Sequence, residues 1–285
     1  MKRLVWVMMA VSAVAAADPP VATLEPALAP LKPVSALALL PRGAECVGQM
    51  DVAAFARWGF SGRFLEAMPQ FVPQLRRVGM FPLAGVRTVS GAASRTGDKQ
   101  GEAVFVIEAD GPRAEWTALG DGRFAAGAPR PLGDLVRRAK RGVGTRSSLG
   151  DVVAGLNTGA SRGACLVTPT MKLNARKEWP EIDSADRLFF TLDFDTGFRM
   201  AATIIMTSEA AATSLLTRMQ AAIAKMKNGM GGMFNIRGML QPLQLRRNGA
   251  RIEMSYAMTP PLLEQALSMM RLMRDLSESS GDSVR

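Results

Sequence analysis

The chain has 285 residues, carries 35 Lys and Arg against 25 Asp and Glu for a formal charge of +10, and contains no histidine. Without imidazole it lacks the usual general base near neutral pH and the commonest metal ligand, which excludes Ser-His-Asp and Cys-His hydrolases, His-ligated zinc sites and c-type haem attachment. What remains for catalysis is carboxylate, Lys, Tyr or Arg chemistry, with Tyr256 the sole tyrosine, so the composition points to a protein that is not an enzyme and needs no cofactor.

Residues 1–17 have the layout of a secretory signal peptide: Lys2 and Arg3, an apolar run from Leu4 to about Ala16, and Ala15-Ala16-Ala17 as an A-x-A cleavage site before Asp18. The run falls short of the about 20 residues that span a bilayer. Cleavage there leaves 268 residues with 33 basic and 25 acidic side chains, a charge of +8. In an exported protein of the periplasm, cell envelope or exterior, that surplus favours anionic lipid headgroups, lipopolysaccharide or acidic polysaccharide before nucleic acid. After cleavage no segment reaches transmembrane length without charge. Residues 18–40 hold five prolines among Ala and Leu, and read as an extended linker because proline removes donors and pushes the preceding residue out of the helical region.

The folded body is expected to begin at residue 41. Ala44–Asp51 reads as a first strand and Val52–Trp58 as a short helix or turn. Phe64, Leu65, Met68, Phe71, Val72, Leu75 and Val78 fall on one helical face that Pro69 and Pro73 interrupt, which predicts two helical pieces meeting near Pro69. Gly85–Ser90 and Glu102–Glu108 read as strands, Arg123–Ala126 as a short strand, and Leu132–Arg141 as a short helix. Ser147 or Ser148 caps a further helix to Leu156, and Arg162–Thr168 is a strand. The polar stretch 175–183 marks the boundary between halves.

Cys46 and Cys165 lie in two of these strand-like runs. An even cysteine count behind a leader implies an oxidising compartment, and a bond between them closes a loop of about 120 residues, worth about 4–5 kcal/mol in the chain-entropy model. Two buried thiols are the alternative, since sequence does not bring their Cα atoms within about 7 Å.

Beyond the boundary, Arg187–Phe194, a turn at Asp195-Thr196-Gly197 and Phe198–Thr207 form a hairpin pattern. A helix capped by Ser208 follows, with Leu215, Leu216, Met219, Ile223 and Met226 at helical spacing. The order recurs in Leu243–Arg247, Asn248-Gly249, Arg251–Met258 and a helix opened by Thr259-Pro260. The expected fold is therefore α+β, with two similar halves over residues 41–175 and 184–276. Each is an antiparallel sheet with helices packed on one face, built on repeated ββα units. Residues 277–285 form a disordered tail.

The runs LPRGAECVGQMDVAAFARW, FAAGAPRPLGDLVRRA, SSLGDVVAGL and SEAAATSLLTRMQAAI resemble exported bacterial proteins of the domain-of-unknown-function 3352 type. The resemblance is one of layout across most of residues 40–276. It implies an exported α+β envelope protein and carries over no activity and no catalytic residues.

Three groups of residues are candidate sites. Phe194-Asp195-Thr196-Gly197 is how an aspartic protease presents a catalytic carboxylate, but that chemistry needs two aspartates sharing a proton, and Asp195 with nearby Asp193 would have to supply a carboxylate-based hydrolase alone or through a second copy. Met226, Met230, Met233 and Met239 offer thioethers of the kind that select Cu(I), or a soft apolar surface. Arg130, Arg137, Arg138, Lys140, Arg141 and Arg146 surround Gly142 and Gly144 and suit bidentate contacts to phosphates or acidic sugars. No aromatic residues interleave with these charges, which argues against single-stranded nucleic acid. The basic cluster is the expected binding site.

Overall fold

The computed structural model describes residues 35–69, 71–94, 102–144, 148–156, 160–177, 179–229 and 236–281. Residues 1–17, read from sequence as a signal peptide, the proline-rich stretch to residue 34, Arg146, Met230, Met233 and residues 282–285 lie outside these. In chain order the elements are a 3-10 turn Ala36–Leu39, β1 (Cys46–Asp51), α1 (Val52–Arg57), α2 (Ser61–Ala67), α3 (Phe71–Arg77), β2 (Val86–Ser94), β3 (Glu102–Ala109), β4 (Thr117–Gly120), β5 (Arg123–Gly127), α4 (Pro129–Arg141), α5 (Ser148–Gly155) and β6 (Ser161–Leu166). There follow α6 (Pro169–Arg176), a 3-10 turn Pro180–Ser184, β7 (Ala185–Asp193), β8 (Phe198–Met206), α7 (Glu209–Gly229), α8 (Ile236–Leu240), β9 (Gln244–Asn248), β10 (Arg251–Met258) and α9 (Pro260–Gly281). The protein is α+β with antiparallel strand pairing, as its sequence pattern implies. No helix among the described residues is long and apolar enough to cross a membrane.

The chain forms two units. The first takes residues up to Arg57 and 70–166, and its strands lie in the order β4-β5-β3-β2-β1-β6. Cross-strand register assigns the two faces of this sheet. Met50, Val89, Phe105, Ile107 and Phe124 share one face and pack with Val78, Met80 and Trp116. Val47, Val104, Val106, Ala125 and Ala164 share the other, all buried, where the first 3-10 turn, α4 and α5 contact the sheet. Both faces are therefore covered, in contrast to the expected single face. The cause lies in β3: EAVFVIEA does not alternate, and a strand whose successive residues Val104 to Ile107 are all apolar must be buried on both sides. Each such side chain contributes about 1.5–3 kcal/mol when fully buried. Gly127 lets β5 approach β3, since a Cβ there would lie 2.4 Å from the Ala103 carbonyl oxygen.

The described chain starts inside this core. Ala36, Leu37, Leu39 and Leu40 are buried, and the Ser35 hydroxyl caps their turn by accepting from the Ala38 N–H at 3.3 Å. The linker expected to extend to residue 40 is thus folded from Ser35 onward. Beyond Pro33 the sequence SALALL contains no further proline and supplies apolar surface worth burying.

The second unit takes Trp58–Pro69 and residues from Val167 onward. Its strands run β7-β8-β10-β9, and the order β7-β8-α7 then β9-β10-α9 is the doubled ββα pattern read from sequence. Four strands here against six in the first unit make the halves unequal. Phe190, Met200, Ala202, Met206, Ile252 and Tyr256 are buried on one face, with Ala212 and Leu215 of α7 packed on Met206 and Ile252. The opposite face, running through Phe189, Thr203, Glu253 and Arg246 in one row, has no buried residue. Helices cover one face of this sheet, as expected. The passage between units falls at Leu166 and Val167 instead of 175–183. Residues 58–69 join the second unit because Trp58 packs against Phe60, Phe64, Phe194 and Phe198 at ring separations of 5.2–6.5 Å, while Arg63 pairs with Glu264 and Glu66 with Arg271. Helix α9 continues to Gly281, past the expected end at 276.

Candidate functional site: the outer stripe of α4

Helix α4 starts on Pro129, where a missing N–H is harmless, and stops at Gly142 in the left-handed conformation with φ 62°. The Val143 N–H reaches the Arg138 carbonyl at 3.1 Å and the Gly142 N–H the Ala139 carbonyl at 3.0 Å, a Schellman ending. Leu132, Leu135 and Val136 are its buried residues. Steps of four, three and four residues put Arg130, Asp134, Arg137 and Arg141 in one stripe on the opposite side. Arg130, Arg137, Lys140 and Arg141 are exposed. The Asp134 carboxylate accepts from Arg137, so the outer surface presents four cations and one carboxylate. Cations in the last turn also match the negative end of the helix dipole.

Arg138 is a different case. Its Nη2 donates to the Leu39 carbonyl at 2.8 Å, and its Nε is buried with no partner among the described residues. Burial pushes its pKa below the ordinary arginine value, Asp134 opposes that shift, and Arg137 adds to it. Of the six residues in the sequence cluster, four form the exposed surface, Arg138 ties the helix to the 3-10 turn Ala36–Leu39, and Arg146 is outside the described residues. Packing separates the two kinds, since Arg138 turns to the Leu39 carbonyl while the other four face solvent.

Cys46 and Cys165 stand directly opposite each other in the β1–β6 register, with Cα atoms 4.1 Å apart, and are joined by a disulfide.

The Asp-Thr-Gly segment is the tip of the β7–β8 hairpin. Arg199 Nη2 sits 2.6 Å from Asp193 Oδ2 and 3.8 Å from Asp195 Oδ2, and the Asp195 side chain is 69% exposed. A guanidinium thus lies between the two carboxylates, where protease chemistry requires them to share a proton. The glycine has a packing reason, because a Cβ at Gly197 would lie 2.1 Å from the Met258 carbonyl oxygen. Among the methionines, Met239 is buried and its carbonyl accepts the Tyr256 hydroxyl at 2.7 Å, while Met226 is half-buried on α7. Burial pushes the Tyr256 phenol above its usual pKa. Among the described residues no group of three or more Cys, Asp or Glu is placed to hold a metal ion.

A polar row unmarked in the sequence reading crosses the first sheet. Gln49 Nε2 donates to the fully buried Ser90 Oγ at 3.1 Å, Arg162 Nη2 donates to Gln49 Oε1 at 2.6 Å, and Arg162 Nη1 donates to the Leu156 carbonyl at 2.6 Å. Gln49 inside an apolar strand was the available signal. Each member is satisfied by the next, so the row reads as structure.

No family model and no curated protein matches the chain. Among solved structures, crystal form III of TP0453 is similar with a TM-score of 0.47 and 11% identity over 83% of this chain and 97% of that chain. Crystal form I gives 0.43 and 11% over 84% and 98%. Crystal form IV gives 0.44 and 10% over 84% and 97%.

Proposed function

We propose that this protein is an exported, non-catalytic component of the cell envelope, in the periplasm or at the cell exterior, that uses the outer stripe of α4 to hold anionic envelope groups. The observation that carries the reading is the division of labour on α4: one side is consumed by packing, while Arg130, Arg137, Lys140 and Arg141 face solvent against a single carboxylate. The signal-peptide layout of residues 1–17, the surplus of basic residues and the disulfide suit the same setting. Arginine forks and a lysine ammonium are the donors that phosphates and carboxylates accept best.

The test is binding of the mature protein to vesicles containing phosphatidylglycerol and to lipopolysaccharide at low ionic strength. Binding should weaken as salt shortens the Debye length from about 30 Å at 0.01 M to about 10 Å at 0.1 M. Replacing Arg130, Arg137 and Arg141 together by Gln should remove most of it and leave Tm nearly unchanged, because exposed charges contribute about 1 kcal/mol or less to folding. Unchanged binding in the triple variant would leave the stripe a solubility feature and end this reading.

A further inference from the structure

The four-stranded sheet of the second unit has one face under helices and one face open. At one end of the open face, Arg187 on β7 and Arg251 on β10 are both in register with Ile205 on the strand between them. Two strand spacings therefore separate them, about 10 Å. Arg246 on β9 stands one row further, opposite Glu253. All three arginines are exposed. Arg187 pairs with Asp186 at 3.0 Å, whereas Arg246 and Arg251 hold no ion pair among the described residues. This end of the face thus gathers three guanidinium groups against two carboxylates, Glu253 and the Asp186 that pairs with Arg187, which leaves Arg246 and Arg251 as its uncommitted cations. At the far end Arg199 is already occupied by Asp193 and Asp195.

Between the two ends Thr191, Thr203 and Ser255 bring hydroxyls to the face beside Phe189 and Ala201. Thr203 and Ser255 lie on neighbouring strands, one row apart. The surface is cationic at one end and carries hydroxyls along its middle.

We propose that this open face binds an acidic polysaccharide, with sugar carboxylates held at Arg246 and Arg251 and sugar hydroxyls laid across Thr203 and Ser255. Guanidinium groups take carboxylates in bidentate fashion, and Ser and Thr hydroxyls both donate to and accept from alcohols. A bilayer fits less well, because the face offers two large apolar residues, Phe189 and Ile205, and both are half-buried. A second copy would set arginines against arginines. Single-stranded nucleic acid needs a series of stacking rings, and Phe189 is one ring. The site lies in the other unit from α4 and stands whether or not α4 binds anions.

The experiment measures Kd of the mature protein for polygalacturonate at low ionic strength, with neutral dextran and phosphatidylglycerol vesicles as separate arms. R246Q/R251Q should weaken polygalacturonate binding about tenfold or more. R57Q/K177Q, which removes the same charge from exposed residues off this face, should change it by less than about threefold. S255W, which places a bulky ring on the face without touching a charge, should also weaken binding, and it serves if the double arginine variant does not fold. Equal losses in the two double variants would mean general charge attraction and overturn the proposal. No binding to polygalacturonate, equal binding to dextran, or vesicle binding with the same variant dependence would overturn it too.

Discussion

Arg138 and Leu39 are 99 residues apart in the chain and joined by one hydrogen bond, from Arg138 Nη2 to the Leu39 carbonyl at 2.8 Å. The contact fixes the end of α4 to the 3-10 turn Ala36–Leu39, and it divides the described members of the basic cluster into four that face solvent and one that holds the core. Arg138→Ala leaves the Leu39 carbonyl without its donor in a partly buried place, so a loss of about 1–3 kcal/mol is expected. Arg137→Ala, on the exposed stripe, should stay within about 0.5 kcal/mol of wild type. Urea unfolding of the two variants checks this. If both lose the same amount, the side chain of Arg138 is not structural.

The disulfide gives a second prediction. Cys165 is buried and Cys46 is bonded to it across the β1–β6 pair, so the native protein should react with no thiol reagent until reduced. Replacing both cysteines by Ala should lower stability by about 2–5 kcal/mol, read as a lower urea midpoint. Two thiols titrating in the native protein would contradict the bond.

What the sequence made legible follows from how local each signal is. The β7–β8 hairpin, the helix after it and the repeat in β9, β10 and α9 are carried by turns and periodicities within about ten residues, and they stand as expected. The bond between Cys46 and Cys165 was named as one of two outcomes, and register settled it. The two-faced burial of the first sheet was written in β3, whose apolar residues run without alternation, but which segments cover the second face is decided by contacts as distant as Arg138 with Leu39. The same limit applied to Trp58–Pro69, assigned to the first half by adjacency and drawn into the second unit by an aromatic cluster with Phe194 and Phe198. Arg113 was invisible for this reason. It donates to the carbonyls of Gly79, Pro82 and Ala84, all about thirty residues earlier, and stacks over Trp116.

The hairpin tip supplies a third prediction, because the motif reading and the packing reading assign importance to different residues. If Asp-Thr-Gly is a turn, Gly197 matters most: Gly197→Ala puts a Cβ against the Met258 carbonyl and should destabilise by about 1–3 kcal/mol. Asp195→Asn should be nearly neutral, since the side chain is exposed and its pairing with Arg199 at 3.8 Å is a surface contact. Thermal unfolding of both variants decides between the readings. A stable G197A protein would mean that the close approach is not required.

The last prediction concerns acid stability. Glu181, in the 3-10 turn before β7, has a side chain only 13% exposed and accepts from Ser214 Oγ at 3.1 Å and Arg218 Nε at 3.0 Å, both on α7. Burial pushes its carboxyl pKa up, but its own backbone N–H, the Ser214 hydroxyl and the Arg218 guanidinium together outweigh that and hold it below the ordinary glutamate value. A carboxylate with a depressed folded-state pKa binds protons more readily in the unfolded chain. It therefore adds stability that is fully present above the unfolded glutamate pKa, near 4.3, and lost as pH falls through the lower folded value. The Glu181→Gln protein should accordingly show a smaller fall in unfolding free energy between pH 6 and pH 3 than wild type, while being less stable at neutral pH. The check is a urea titration at each pH for both proteins. If the two free-energy curves run parallel through the acid range, Glu181 does not link α7 to its turn through charge, and the contacts with Ser214 and Arg218 are incidental to stability.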